Sequence, residues 1–339
     1  MYDIITFGSA TKDIFIKTKK FRVLKDKKNF ATGKGVCFNL GSKVDIDEIL
    51  FASGGGGTNT AATFAKQGFR TAYCGAVGQD LAGQEIIEEL KNLNINTQLV
   101  VKSERKPTNH SIVISGINDD RTILVYRGAS EELKKENIPW LKLKTKWFYI
   151  SPLSGELCKV FGDLIDFAVK NKIKVALNPG NCQLSLPPKL LRKNLGKIDV
   201  LILNQEEASL LTGISYKKEK EIFKKIDEIC SGIVIMTKGE KGVVLSDGEY
   251  LYRALPPKMK AADRTGAGDS FGAGFVSGFL RSRGDIIVAT QIGIANSTAC
   301  LKKLGAKQGL LKKNEKFYKV EVKKEKCSKN GLCQCRVCG

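Results

Sequence analysis

Histidine is almost missing from this chain: His110 is the only one in 339 residues. Imidazole-based triads and metal centres with several histidine ligands are therefore excluded, and His110 reads as a satisfied structural residue. No stretch approaches the roughly 18 consecutive apolar residues of a membrane span. The chain enters a strand pattern at once, Asp3-Ile4-Ile5-Thr6-Phe7, without the charged-then-apolar start of a signal peptide. A cytoplasmic protein with no membrane partner is expected. Two nucleotide-binding signatures are absent as well. No Gly-x-x-x-x-Gly-Lys string followed by Ser or Thr occurs, which removes P-loop chemistry. After the first strand, Gly8-Ser9-Ala10-Thr11-Lys12-Asp13 lacks the second and third glycines of a dinucleotide fold, so a dehydrogenase is not expected.

Acidic residues are also scarce. The chain has 35 Asp and Glu against 56 Lys and Arg, a formal net charge of +21. Such a surplus is the footprint of nucleic-acid binding and defines the alternative reading, a basic RNA-associated protein. The distribution argues otherwise. From Lys302 onward twelve Lys or Arg face three Glu, and a second cluster runs from Lys17 to Lys28. Aromatic residues do not interleave with these lysines as a base-stacking surface requires, and lysine dominates over arginine. A solvated basic surface that favours anionic nucleotide substrates is the expectation.

What is present is an α/β pattern. Strand-like runs such as Lys172-Ile173-Lys174-Val175-Ala176-Leu177 alternate with helix-like segments such as Leu81 to Leu90 and Ser154 to Val169. That alternation predicts βα units and a mostly parallel sheet, in one large domain or two smaller ones. Residues 14–53 and about 95–127 break the pattern with β-branched, alternating sequence and few helix signals. Six cysteines (Cys37, Cys74, Cys158, Cys182, Cys230 and Cys300) lie singly in apolar segments, as reduced core cysteines do. Cys327, Cys333, Cys335 and Cys338 instead crowd a basic C-terminal tail, taken as residues 317–339. Four thiolates can close a tetrahedral zinc site, but the spacing is irregular, so zinc and an oxidisable free tail both stay open.

The chemistry concentrates in glycine-rich turns. Asp263-Arg264-Thr265-Gly266-Ala267-Gly268-Asp269-Ser270-Phe271-Gly272 places a carboxylate where a helix of small residues begins. Three small residues let backbone N–H groups converge on an anion, and a helix start adds unpaired donors. Asp269 would repel a phosphate, so its natural partner is a hydroxyl proton, and anion hole plus base suggests phosphoryl transfer to an alcohol. The alternative is a glycine cap followed by an N-cap Asp on a closely packed helix. Upstream, Ser53-Gly54-Gly55-Gly56-Gly57-Thr58-Asn59 leads into an alanine-rich helix start, with Asn59 offering a donor and an acceptor. Asn204-Gln205-Glu206-Glu207 and Met236-Thr237-Lys238-Gly239 each follow a buried-strand run, at the sheet edge where open α/β folds bind ligands.

These four segments, in this order and spacing, resemble the ribokinase superfamily of carbohydrate and nucleoside kinases, the PfkB family, over roughly residues 1 to 310. The resemblance implies a doubly wound, mostly parallel sheet with helices on both faces and a small β-sheet lid, which residues 14–53 and about 95–127 would supply, within a kinase domain taken as residues 1–316. It implies ATP and Mg2+ as cofactors, Asp269 as the base, and Gly266, Ala267 and Gly268 as the anion hole. Glu207, through water, and Asn204 would organise magnesium and phosphate, with Thr237, Gly239 and Asn296 near the nucleotide. Asp13, Gly55, Gly56 and Asn59 would face a sugar-like acceptor, with Asp263 nearby. Many relatives also hold potassium beside the anion hole, and the matching positions are Asp263, Thr265, Cys300, Lys303 and Gly305. Two copies pairing through the lid would complete the list of partners.

Two departures bear on the acceptor. The lysine that ribose-specific members carry in the first motif is Gly56 here, and the segment with their ribose-contacting Glu reads Phe148-Tyr149-Ile150-Ser151-Pro152. Arg127 could reach from the lid edge to a phosphate or carboxylate on the acceptor, or serve as a solvated or structural Arg. A nucleoside, sugar, sugar phosphate and sugar acid all remain open.

Overall fold

The computed structural model of the protein describes residues 1–26, 28, 33–115 and 121–326. Its centre is a nine-stranded sheet. Six parallel strands lie in the spatial order Thr71–Cys74, Tyr2–Phe7, Thr145–Ile150, Lys174–Leu177, Val200–Asn204 and Ile233–Thr237. Three antiparallel strands, Val243–Ser246, Tyr250–Ala254 and Val322–Lys326, extend the last edge.

Side chains alternate across a strand, so each apolar run must be covered on both sides. Leu201 and Leu203 enter one core with Phe161, Leu164 and Phe223, whereas Val200 and Ile202 enter the other with Phe271, Phe275 and Val276. Helices thus cover both faces, the doubly wound arrangement expected. A separate four-stranded sheet forms the lid, in the order Arg121–Tyr126, Asn109–Ser115, Thr11–Lys17 and Glu48–Gly54.

Three expectations need correction. The lid does not begin near residue 95: Ile95 and Leu99 are buried in the body and Val101–Ser103 pairs with Ala76–Gly78, because this segment continues a βα unit. Nor does the domain stop at residue 316, since Val322–Lys326 hydrogen-bonds to Tyr250–Ala254 as an edge strand. The four tail cysteines, Cys327, Cys333, Cys335 and Cys338, lie outside the described residues. The third correction concerns the scattered cysteines. Cys74, Cys230 and Cys300 are buried thiols, but Cys37 is exposed and Cys158 is bridged to Cys182 across 6.4 Å between Cα atoms. Their helices, Gly155–Lys159 and Asn181–Leu184, follow two neighbouring parallel strands and so meet at one sheet edge.

The helices Ala267–Arg281 and Ile286–Cys300 pack as a close pair. A Cβ on Gly278 would lie 2.8 Å from the Ala289 Cα, and one on Gly274 would lie 3.2 Å from the Gly293 Cα. The contact is backbone against backbone, which only glycine permits. Gly278→Ala is expected to force the helices apart and cost on the order of 1–3 kcal/mol. Urea denaturation checks it, and an unchanged midpoint would mean that the pair has slack.

Candidate functional site

The six parallel strands end on one edge, and the loops beyond them hold the chemistry-bearing residues. Tyr2–Phe7 delivers Gly8, Thr145–Ile150 delivers Ser151, and Val200–Asn204 ends on Asn204. Two helices start over this edge, Gly56–Lys66 and Ala267–Arg281. The second is preceded by Gly266 at φ 74°, a left-handed turn that a side chain would strain; a Cβ there would also strike Ala306. Asp269 therefore stands in the first helical turn and is not the N-cap, and the N–H groups of Ala267 to Asp269 have no partner within the helix. A Cβ on Gly268 would meet nothing within 4 Å. The space above it is open.

The glycine run works differently, through close approach. A Cβ on Gly54 would collide with the Asp13 carboxylate, and one on Gly56 would sit 2.9 Å from the Ser151 Cβ and 3.4 Å from Asp269 Oδ1. One loop therefore lies between two carboxylates, drawing together Asp13, Gly55, Gly56, Asn59 and Asp269. Asn59 donates from Nδ2 to Asp269 Oδ2 at 2.9 Å. Its Oδ1, the Ser151 Oγ and the Tyr149 hydroxyl are buried with no hydrogen-bond partner among the described residues. Unsatisfied buried polar atoms are costly, and three of them around one carboxylate fit a site that a polar ligand completes. Position 56 and Ser151, the two departures from the ribose-specific pattern, are neighbours in space. Any side chain at 56 would displace Ser151.

Electrostatics separates the carboxylates. Burial pushes the Asp269 carboxyl above its ordinary range, while the hydrogen bond from Asn59 opposes this. Burial also raises Asp13 to about 6, against the hydrogen bond from Ser111 and the charge of Lys307. Glu207 is raised as well, again chiefly by burial. Asn204 and Glu207 form a capping box at the helix Gln205–Thr212: Asn204 Oδ1 accepts from the Glu207 N–H and Glu207 Oε2 from the Asn204 N–H, both at 2.8 Å. The Asn-x-x-Glu spacing thus has a local reason, and it commits one oxygen of Glu207.

Beside the Gly266–Asp269 turn lies a largely apolar cavity of about 440 Å³. Thr237, Gly239, Ala267 and Gly268 line it, as do Pro256, Pro257, Ile294, Ser297 and Thr298. The last five were not foreseen: Pro256 and Pro257 lie in a loop without a motif, and Ile294, Ser297 and Thr298 lie on a helix, Ile286–Cys300, whose polar residues are scattered. Asn296 does not line this cavity. It is fully buried, donating to the Ser270 carbonyl at 2.7 Å and accepting from the Leu311 N–H at 2.9 Å, so it braces the helix pair away from the cavity.

Asp263 holds its own loop. Its Oδ1 accepts from the Thr265 N–H at 2.9 Å and the Thr265 hydroxyl at 2.8 Å, and its Oδ2 from the Gly305 N–H at 3.1 Å. Arg127 is exposed and free of ion pairs among the described residues, as in the solvated alternative. The lid arginine that reaches the site is Arg121, which pairs with Asp263 at 3.3 Å.

A profile of the pfkB family carbohydrate kinases matches residues 31–313. The ribokinase of Staphylococcus aureus (strain COL) is 26% identical over 313 residues, covering 91% of this chain and 96% of that protein. The cytidine kinase of Thermococcus kodakarensis is 26% identical over 77% of this chain and 95% of that one. Among solved structures, Arabidopsis thaliana ribokinase complexed with ribose and ATP superposes with a TM-score of 0.75 at 21% identity, covering 92% of this chain and 96% of that one. This last likeness establishes the fold.

Asp13 yields a pH test. Its folded pKa of about 6 exceeds the unfolded 3.8, so folding favours the protonated form; that stability is present below about pH 4 and lost as pH rises through 6. Asn at this position carries no charge at any pH. Asp13→Asn is expected to gain on the wild type between pH 4 and 7, by on the order of 2–3 kcal/mol. Urea titrations across that range check it, and a pH-independent difference would place the Asp13 carboxyl in water.

Proposed function

The chain belongs to the pfkB family of carbohydrate kinases, a phosphotransferase with an alcohol acceptor, and from that premise we propose that it transfers the γ-phosphoryl group of ATP to a hydroxyl of a neutral sugar or nucleoside. The observation that carries the reading is the Gly54–Gly56 loop held between Asp13 and Asp269, facing the open turn over Gly268. Asp13, Asn59 and Ser151 offer groups suited to hydroxyls. The lid's Arg127 is exposed, and the Asp13 carboxylate would repel a sugar phosphate or sugar acid.

In this reading the adenine lies in the cavity near Thr237, Gly239 and Ser297, and the amides of Gly266 to Gly268 receive charge on the transferring group. Asp269 orients the acceptor hydroxyl and takes its proton. Proton removal is late in a loose transfer, so a strongly basic carboxylate is not needed. Among the described residues no three acidic, cysteine or histidine side chains form a metal cage. A magnesium ion fits better as part of the nucleotide, with Glu207 reaching it through water; it would neutralise the phosphates. Exposed Ile49, Phe51 and Leu124 on the lid support pairing of two copies there.

Asp269→Asn keeps the shape and removes proton acceptance. Turnover with ATP, magnesium and the best acceptor from a screen of sugars and nucleosides is expected to fall by roughly two to four orders of magnitude, with nucleotide affinity little changed. Near-normal turnover would remove Asp269 from the mechanism, and a preference for phosphorylated or acidic sugars would overturn the neutral acceptor.

A further inference from the structure

The lid is fastened to the body at two places. At its root, where Thr11 pairs with Gly54, Lys12 forms an ion pair with Glu85, and Ser53 is hydrogen-bonded to Glu89 and to the buried Lys307. The second is made by the outermost strand. Arg121 opens the outermost lid strand, pairing with Ser115 at the other end of the sheet from Thr11. From there its Nη1 donates to the Thr265 hydroxyl at 3.0 Å and to Asp263 Oδ1 at 3.3 Å.

The target is not an ordinary surface acid. The Asp263 side chain is only 7% exposed, and its oxygens gather the loop that leads into Gly266 through the Thr265 amide, the Thr265 hydroxyl and the Gly305 amide. Dipolar donors alone leave the charge of a buried carboxylate poorly compensated. Among the described residues Arg121 is the only cationic side chain within 4 Å of it. A guanidinium suits the task because it stays charged and its donors can engage a carboxylate and a hydroxyl together.

We propose that Arg121 is a positioning residue that carries a cation into the anion-hole loop: docked on Asp263 and Thr265, it fixes the approach to Gly266–Gly268, so the loop is fully ordered only with the lid down. Arg121 acts through the loop, touching neither acceptor nor nucleotide. Its kinetic consequence rests on the kinase reading above, since it couples acceptor enclosure to phosphate positioning. The guanidinium also occupies the carboxylate that would otherwise attract a monovalent cation.

The test uses the full chain and two variants, Arg121→Met, which keeps length without charge, and Arg121→Lys. Hydrogen exchange at the amides of residues 264–268 reads the loop without any turnover. Arg121→Met is expected to speed exchange there about tenfold or more and to leave the sheet amides unchanged; Arg121→Lys lies between, and added guanidinium or potassium restores slow exchange. In turnover, the wild type is expected to run at equal rates in potassium, sodium and tetramethylammonium salts at equal ionic strength. Arg121→Met should lose kcat by about tenfold or more with little change in the KM for ATP, and regain part of it with guanidinium or potassium. Unchanged exchange at 264–268 in Arg121→Met would overturn the proposal even in an active kinase, and so would several-fold activation of the wild type by potassium. Absence of turnover in the wild type with every acceptor would instead overturn the kinase reading, while the exchange result still decides the role of Arg121.

Discussion

Two helix starts must meet over one sheet edge with almost nothing between them, and the rest of the site depends on that approach. Gly56–Lys66 and Ala267–Arg281 come together where Asn59 donates to Asp269. The meeting is possible because Gly54, Gly56 and Gly57 give up side-chain volume that Asp13, Ser151 and Tyr73 then fill. A methyl group at any of the three positions would move a helix start, and with it a carboxylate. The unpaired amides of a helix start and a carboxylate are thereby held at adjacent points of one frame; in the proposed reaction that is the preorganisation which lowers a barrier.

The same frame explains the contrast among its acids. Asp13, Glu207 and Asp269 are all pushed upward by burial, but each has a different partner: Ser111, the Asn204 amide and Asn59. Asp263, a few residues before Asp269, instead collects amide donors and an arginine. Asp263 is thereby internally satisfied. Orphaned atoms at Asn59, Tyr149 and Ser151 mark where polarity awaits a partner.

Much of this was legible in the sequence because the signals are local. Buried parallel strands betray themselves as continuous apolar runs, and a glycine-rich turn before a small-residue run marks a helix start. The doubly wound sheet and the turn at Gly266–Asp269 follow from such patterns. Long-range facts were not legible. Nothing in the spacing of Cys158 and Cys182 announces a bridge, since their proximity comes from neighbouring parallel strands. That Asn296 bonds the Ser270 carbonyl and the Leu311 amide is likewise visible only in the packing. The lid carries two arginines six residues apart; Arg121, at the start of the outermost strand, meets Asp263, whereas Arg127, just past its end, is exposed.

By itself, then, the sequence determined the alternation of strands and helices, the positions where backbone must pass backbone, and the residue types able to bind phosphate and accept a proton. These are properties of short segments, governed by side-chain period, glycine's missing Cβ and the unpaired amides of a helix start. Only the tertiary structure decided which acids share a loop, that a side chain at position 56 would compete with Ser151, that the chain still belongs to the sheet at Lys326, and which lid residue closes on Asp263. Each of those joins segments 40 or more residues apart in sequence, and such pairings are set by the packing of the sheet and its lid, which no local pattern encodes.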